Sequence, residues 1–281
     1  LTAVEEDADG AVLARVEEAA GTGAWTEVSP ALYETLSLAQ EMARQSDGAF
    51  DVTSGTLTEL WDAARAAQHP PTAEEIAAAQ SRVDWHALEL RERAADDGEH
   101  PEVRLLRAGM KIDRGALIKG LALDGIARSW AAGGAVNALA DLGSSSILAC
   151  GVNAEGEPWR IGVRNPRGES RSDLAATVQL SDAMLSASGD DERYFLYEGR
   201  RYHHLVDPRT GDPAETGLAS VTVILPQDAM TGTMWAGHEG QLSDMLSTAI
   251  FVMGAERGRS LLTDIPGAQL ILIGTDGRVI E

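Results

Sequence analysis

The sequence predicts an α+β fold, and three observations predict it. Strand-like and helix-like segments follow one another irregularly, without the strand–helix–strand alternation of a doubly wound sheet. A β-hairpin is legible where Arg193–Glu198 and Arg201–Val206 flank Gly199. Helix-length segments elsewhere carry apolar side chains at helical spacing. With 281 residues, 44% of them hydrophobic, the chain can bury a substantial core. No internal repeat, low-complexity tract or linker divides it, so one domain spanning 1–281 is expected.

The elements follow in order. Residues 1–29 are polar and Gly-rich and end in a short strand at Trp25-Thr-Glu-Val-Ser-Pro30. Ser29 suits an N-cap and Pro30 the first helical position, so a helix runs to about Gln45 with Leu32, Leu36, Ala39 and Met42 on one face. Gly48-Ala-Phe-Asp-Val-Thr-Ser-Gly55 breaks it. A helix at Leu57–Ala67, a cap at His69-Pro-Pro-Thr72 and a helix at 73–80 come next. Residues 82–107 read as β-structure around a solvated acidic tip, Ala94-Ala-Asp-Asp-Gly-Glu99. A helix over 118–132 is closed by Gly133-Gly134. Strands are expected at 135–150 and Trp159–Arg164, then the hairpin, then a strand at Leu218–Leu225. Helices at 243–253 and 256–264, a buried strand at Gln269–Gly274, a turn at Thr275-Asp-Gly277 and a last short strand complete the chain.

Bulk composition removes several function classes. Net charge is −21 and the isoelectric point about 4.6, the wrong sign for a nucleic-acid partner, which needs a basic stripe to displace counterions. The apolar runs are too short for a transmembrane segment. Lys111 and Lys119 are the only lysines. A GC-rich genome and adaptation to high salt both account for that bias, and a lysine retained in such a background invites a role. The single cysteine, Cys150, excludes an internal disulfide and a thiolate metal cluster, and its setting reads as a buried strand. The sequence opens at Leu1 on polar residues with no signal segment in view, and removal of an upstream stretch is expected.

Four segments could carry chemistry. In Ser243-Asp-Met-Leu-Ser-Thr248, Ser243 can cap the helix, placing Asp244 and Thr248 four apart on one face near its N-terminus. A carboxylate and a hydroxyl there offer hard oxygen ligands to Mg²⁺, and the helix start favours phosphate. An acid in a first turn also simply complements the helix dipole. In Lys111-Ile-Asp-Arg-Gly-Ala-Leu-Ile-Lys-Gly120, a carboxylate, a glycine turn and a Lys-Gly pair at a helix entrance suit a phosphorylated ligand, though the spacing is not that of a Walker loop. Tyr202-His-His-Leu-Val-Asp-Pro-Arg-Thr-Gly211 runs a strand into a turn. His203 and His204 point to opposite faces, and one of them could deprotonate an attacking hydroxyl or be purely structural. Asp207 and Thr210 suit a role in knitting the turn. Gly48-Ala-Phe-Asp-Val-Thr53 places Phe50 and Asp51 in a loop, where core packing and capping are the ordinary roles.

In their order and spacing these segments resemble the ApbE family, the FAD:protein FMN transferases. The resemblance rests on Gly48–Asp51 for a G-x-F-D loop and Asp113–Gly120 for a D-x-G-x-x-x-K-G segment. It continues through Ser188–Arg193 for S-G-D-x-E-R, His203–Gly211 for H-H-[IL]-[IV]-D-P-[RT]-T-G, and Ser243–Ala249 for the closing acid–threonine motif. It implies a T-fold-like domain with an antiparallel sheet and packed helices. It implies FAD contacts at Ala49, Phe50, Asp51, Asp113, Lys119 and the backbone around Val206. It implies Mg²⁺ held by the Ala116 carbonyl and the Asp244 and Thr248 side chains, with Ser247 where some members place a further ligand.

The reaction so implied is Mg²⁺-dependent transfer of FMN from FAD to a protein threonine hydroxyl, with AMP released. His204 is the candidate base and Asp113 a competitor for that role. The acceptor would carry an Asp-x-x-Ser/Thr-x-Ala-Thr-like motif, as in redox-complex subunits, and the enzyme would be a lipoprotein on the extracytoplasmic face of the membrane, with a cytoplasmic location as the alternative. Hydrolysis of FAD to FMN and AMP, and non-catalytic flavin binding, are the rival functions. Three departures from the family pattern stand out. The family's N-terminal strand and helix are expected before residue 10 and are missing. Residues 231–242 intervene before the final acid, as a lid or as a displacement of Asp244. Gly143-Ser-Ser-Ser146 replaces a Gly-Gly-Asn-like turn.

Overall fold

The computed structural model describes residues 10–95, 98–170 and 172–280. The chain is α+β, with antiparallel sheets and packed helices, and its residues group into two compact units. The first takes in the described residues of 1–116 with 195–202 and 206–212; the second takes in the described residues of 117–194 and 213–281 with 203–205. No described helix is long and apolar enough to cross a membrane.

The first unit holds helices α1 (Ala11–Glu18), α2 (Pro30–Gln45), α3 (Gly55–Ala67) and α4 (Ala73–Gln80). Its three-stranded antiparallel sheet has the order β1 (Thr26–Glu27), β3 (Gly98–Leu105), β2 (Leu88–Ala95). Helix α2 begins as the sequence predicts, with Ser29 Oγ accepting the Leu32 N–H and Pro30 next in line. Leu32, Leu36, Leu38, Ala39, Met42 and Ala43 are buried, one apolar stripe at helical spacing. Thr72 and Glu75 close a capping box on α4. The hairpin of β9 (Tyr194–Tyr197) and β10 (Arg200–His203), of which 195–202 belong to this unit, turns at Gly199, whose φ of 79° favours glycine. Phe195 and Tyr202 from this hairpin stack with each other and join Trp61, Ala64 and Val206 in one cluster.

The second unit is built on a six-stranded antiparallel sheet ordered β13-β12-β11-β8-β5-β4: Val279–Ile280, Gln269–Gly274, Leu218–Pro226, Ala183–Gly189, Ser146–Cys150 and Ala138–Asp141. Alternation along its strands serves two covers. Ile147, Ala149, Ala183 and Leu185 pack with Trp159, Ile161, Val178 and Leu180 of the ribbon β6–β7 (Trp159–Arg164 and Leu174–Leu180). Leu148 and Met184 face the other way, onto Leu123 and Trp130 of helix α5 (Ile118–Gly133). Helix α6 (Glu239–Met253) packs on α5, β8 and β11 and is buried almost all round. Each fully buried large apolar side chain, such as Phe251, contributes about 1.5–3 kcal/mol by leaving water. Helix α7 (Ala255–Arg259) follows, and α5 ends on Gly134 in the left-handed region as expected.

Two expectations need correction. Helix α6 starts at Glu239, so Ser243 is not its N-cap; it is a fully buried interior residue whose hydroxyl donates to the Gly240 carbonyl. Asp244 accordingly lies in the second turn. Part of the 231–242 stretch is thus the first turn of α6, and turns at 231–237 precede it. Strands β7 and β8 form where the sequence pattern predicts none, and β8 sits at the centre of the sheet. Of the acidic hairpin tip, Asp96 and Asp97 lie outside the described residues.

Candidate active-site residues

In the first unit, the loop after α2 is shaped by local bonds. Ser46 Oγ accepts the Phe50 N–H, and the Ala49 and Phe50 side chains are buried. Asp51 Oδ1 accepts both the N–H and the hydroxyl of Thr53, at 2.7 Å each, while Oδ2 accepts the Trp85 N–H at 3.0 Å. Asp51 therefore fastens its own turn to the segment before β2, as a cap does. Burial pushes its carboxyl up to about 6, against the downward pull of the Thr53 and Trp85 donors. Trp85, whose ring stacks on His86 at 3.7 Å, is a functional candidate the sequence did not offer, because it meets Asp51 from 34 positions away. Gly48, Asp51, Trp85, His86, Arg44 and Arg209 line a cleft of about 620 Å³.

Asp113 is brought to the same loop. Its N–H donates to the Val52 carbonyl at 2.7 Å, and its carboxylate accepts from Thr58 Oγ1 at 2.7 Å and the Gly115 N–H at 2.9 Å. Ala116 closes the short 3₁₀ turn Arg114–Ala116, with its N–H on the Asp113 carbonyl. Val206 packs against the Trp61 cluster. Asp207 and Thr210 knit their turn: the Asp207 side chain accepts from the Arg209 N–H and guanidinium, and its carbonyl accepts the Gly211 N–H.

In the second unit, Lys119, Asp244, Ser247 and Thr248 come together. Asp244 Oδ2 accepts the Gly120 N–H at 3.2 Å, and Oδ1 lies 4.0 Å from Lys119 Nζ. Lys119 donates to Ser145 Oγ at 2.9 Å, which gives the departed Gly143–Ser146 turn a side-chain partner for the lysine. Thr248 follows Asp244 by one turn on the same face, as the spacing predicts. Ser247 Oγ donates to the Asp244 carbonyl at 2.9 Å and meets Ser188 Oγ at 2.8 Å, and Ser188 also lies 3.2 Å from Thr248 Oγ1. Ser186 and Ser188 both reach α6 because alternate residues of β8 face it. Burial raises the Asp244 carboxyl, opposed by the Lys119 charge and the Gly120 N–H.

The two histidines do diverge. His203 is buried, with Nε2 on the Ala214 carbonyl at 3.2 Å and its ring edge-on to Phe251, a structural arrangement. His204 donates its backbone N–H to the Arg193 carbonyl, and its buried Nδ1 has no hydrogen-bond partner. Burial, then the neighbouring Arg193, His203 and Lys119, push its imidazole down to about 3, so the ring is neutral at ordinary pH and its surroundings weaken it as a base.

The donors offered to a cation are hard oxygens. A buried carboxylate whose cationic neighbour stands 4.0 Å away, with a threonine hydroxyl one turn on, fits Mg²⁺ better than a soft metal. Among the described residues no cluster of three or more His, Cys, Asp or Glu side chains forms a metal cage.

A family model described as the ApbE family matches residues 4–272. An FAD:protein FMN transferase of Treponema pallidum is 33% identical over 279 residues, covering 96% of this chain and 73% of that protein. One from Haemophilus influenzae is 29% identical over 255 residues, covering 89% and 68%. Among solved structures, the ApbE protein of Thermotoga maritima matches with a TM-score of 0.75 at 32% identity, covering 96% of this chain and 81% of that one. The apo form of the Pseudomonas stutzeri flavinyl transferase ApbE matches with a TM-score of 0.70 at 28% identity, over 92% and 73%.

Proposed function

The chain belongs to the ApbE family, and on that premise we propose that it moves the FMN half of FAD onto a threonine hydroxyl of an acceptor protein, with Mg²⁺ bound and AMP released. It is a transferase by its relatives, which are FAD:protein FMN transferases. The face of α6 that carries Asp244 and Thr248 supports the Mg²⁺ part of this reading. A buried carboxylate with no closer countercharge among the described residues than Lys119 at 4.0 Å is costly, and a bound cation would offset that cost.

Asp244 and Thr248 would hold the cation, with Ser247 adjacent; bound there, Mg²⁺ supplies charge neutralisation for a pyrophosphate. Lys119, tethered by Ser145, adds a point charge for phosphate oxygens. The loop of Ala49, Phe50 and Asp51, with Asp113 bonded to it through Val52, is the flavin-contacting set that family resemblance supports. In the transfer step the acceptor hydroxyl oxygen bonds to the FMN phosphorus, and the bond from that phosphorus to the bridging oxygen breaks. AMP leaves with the bridging oxygen and its electron pair. The hydroxyl proton passes to His204, the base favoured because its buried Nδ1 is not committed to another group; the depressed titration opposes that role and sets what the acceptor must overcome.

The test is incubation with FAD, Mg²⁺ and an acceptor carrying an Asp-x-x-Ser/Thr-x-Ala-Thr-like segment. Flavin fluorescence on the acceptor at its threonine, with equimolar AMP, is the expected result. AMP without labelled acceptor means hydrolysis, and intact FAD retained means binding alone; either sinks the proposal. Asp244→Ala should abolish transfer and its Mg²⁺ dependence. Export and lipid anchoring on the extracytoplasmic face belong to the same proposal on resemblance alone, and fractionation of native cells tests them.

A further inference from the structure

Helices α5 and α6 cap each other. Asp124, on α5, is fully buried; its Oδ1 accepts the Gly240 N–H at 2.7 Å, and its Oδ2 accepts the Gln241 N–H at 3.2 Å and Gln241 Nε2 at 3.0 Å. These backbone donors belong to the first turn of α6, whose N–H groups have no partner within their own helix. Asp244, on α6, answers by accepting the N–H of Gly120 in the first turn of α5. The exchange demands close backbones. A Cβ on Gly120 would stand 2.6 Å from Gln241 Cα, and one on Gly240 would stand 2.5 Å from Asp124 Oδ1. Gln241 Nε2 also reaches His238 Nδ1 at 3.0 Å, which ties the residue before α6 into the same network.

We propose that Asp124 is a positioning residue for the cation site: by capping α6 it fixes where Asp244 stands against Gly120, and so where Asp244 and Thr248 present their oxygens. The cation part rests on the role given to Asp244 above. The carboxylate is needed rather than any polar group, because three donors converge on its two oxygens. An asparagine at 124 would turn an NH₂ toward either the Gly240 N–H or the two Gln241 donors.

Mn²⁺ binding to the purified chain, followed by electron paramagnetic resonance, reads the site without turnover, and amide hydrogen exchange at Gly120 and Gly240 reads the caps. Asp124→Asn should weaken Mn²⁺ binding by about tenfold, the scale of lost outer-sphere support, and should speed exchange at both amides. Leu36→Ala, a core truncation in α2, should lower stability and leave Mn²⁺ affinity at the parental value, and it shows how much exchange at the two amides a loss of stability alone produces. Unchanged Mn²⁺ affinity and unchanged Gly120 exchange in a folded Asp124→Asn protein would overturn the proposal. Should the parent chain bind no Mn²⁺, the cation role of Asp244 falls, and faster or unaltered Gly120 exchange alone upholds or overturns the positioning role. Should Asp124→Asn fail to fold, Gln241→Leu removes one donor and keeps Asp124: faster exchange at Gly240 and weaker Mn²⁺ binding uphold the proposal, and parental values overturn it.

Discussion

Gly120 gives its backbone N–H to Asp244 Oδ2 across 3.2 Å, and the bond exists because no side chain stands between α5 and α6 at that point. A methyl group at 120 meets the Gln241 backbone rather than a flexible side chain, so the helices must separate. Gly120→Ala should therefore destabilise the chain by about 1–3 kcal/mol, although alanine is the better helix former. Urea unfolding measures the loss, and a more stable variant would show that α6 can slide to accommodate it.

His204 titrates near 3, well below an ordinary histidine, because burial and the surrounding cations disfavour its charge. Its proton-accepting form is thus complete at every pH above about 4. The pH profile of transfer should show no histidine limb between pH 5 and 8, and His204→Gln should lose about 10²–10⁴-fold in kcat if the imidazole takes the hydroxyl proton. An acidic limb near 6.5 that disappears in His204→Gln would contradict the depressed titration. The same depression makes folding more favourable as pH rises from 3 to 6.5, since the unfolded chain holds the extra proton there.

Features set by residues close in sequence are legible in the sequence. Ser29-Pro30 announces α2, Gly134 ends α5, and the spacing of Asp244 and Thr248 puts them on one face. The failures share one physical cause, partners remote in sequence. No N-cap residue at 238 or 239 marks the start of α6, because the cap is the Asp124 carboxylate, 116 positions from Gly240. Strand β8 reads Ala-Met-Leu-Ser-Ala-Ser-Gly, poor in β-branched residues, and is a strand because β5 and β11 pair with it on both sides. The same distance hid Ser145, Ser188 and Trp85 as companions of Lys119, Ser247 and Asp51.

Asp51 shifts in the opposite sense from His204, up to about 6 from 3.8. Between those values the folded chain holds more protons than the unfolded one, so this group's contribution to stability falls as pH rises and is gone above about 6. The full swing is on the order of 3 kcal/mol for a shift of this size. Asp51→Asn removes it. The stability difference between parent and variant should shrink by that order from pH 4 to pH 7, and a difference that stays constant with pH would place the Asp51 carboxyl at its ordinary value.

Ser186 and Ser243 meet hydroxyl to hydroxyl at 2.8 Å, both fully buried, but their losses should be unequal. Ser243 donates to the Gly240 carbonyl, so in this pair it accepts, and Ser186 is the donor. Ser186→Ala leaves Ser243 with its carbonyl and should cost about 0.5–1 kcal/mol. Ser243→Ala strands the buried Ser186 hydroxyl and should cost about 1–3 kcal/mol. The double variant strands no hydroxyl, so its cost should be less than the sum of the two, with a coupling energy of about 0.5 kcal/mol or more. Equal single losses that add in full would mean that the two hydroxyls do not depend on each other.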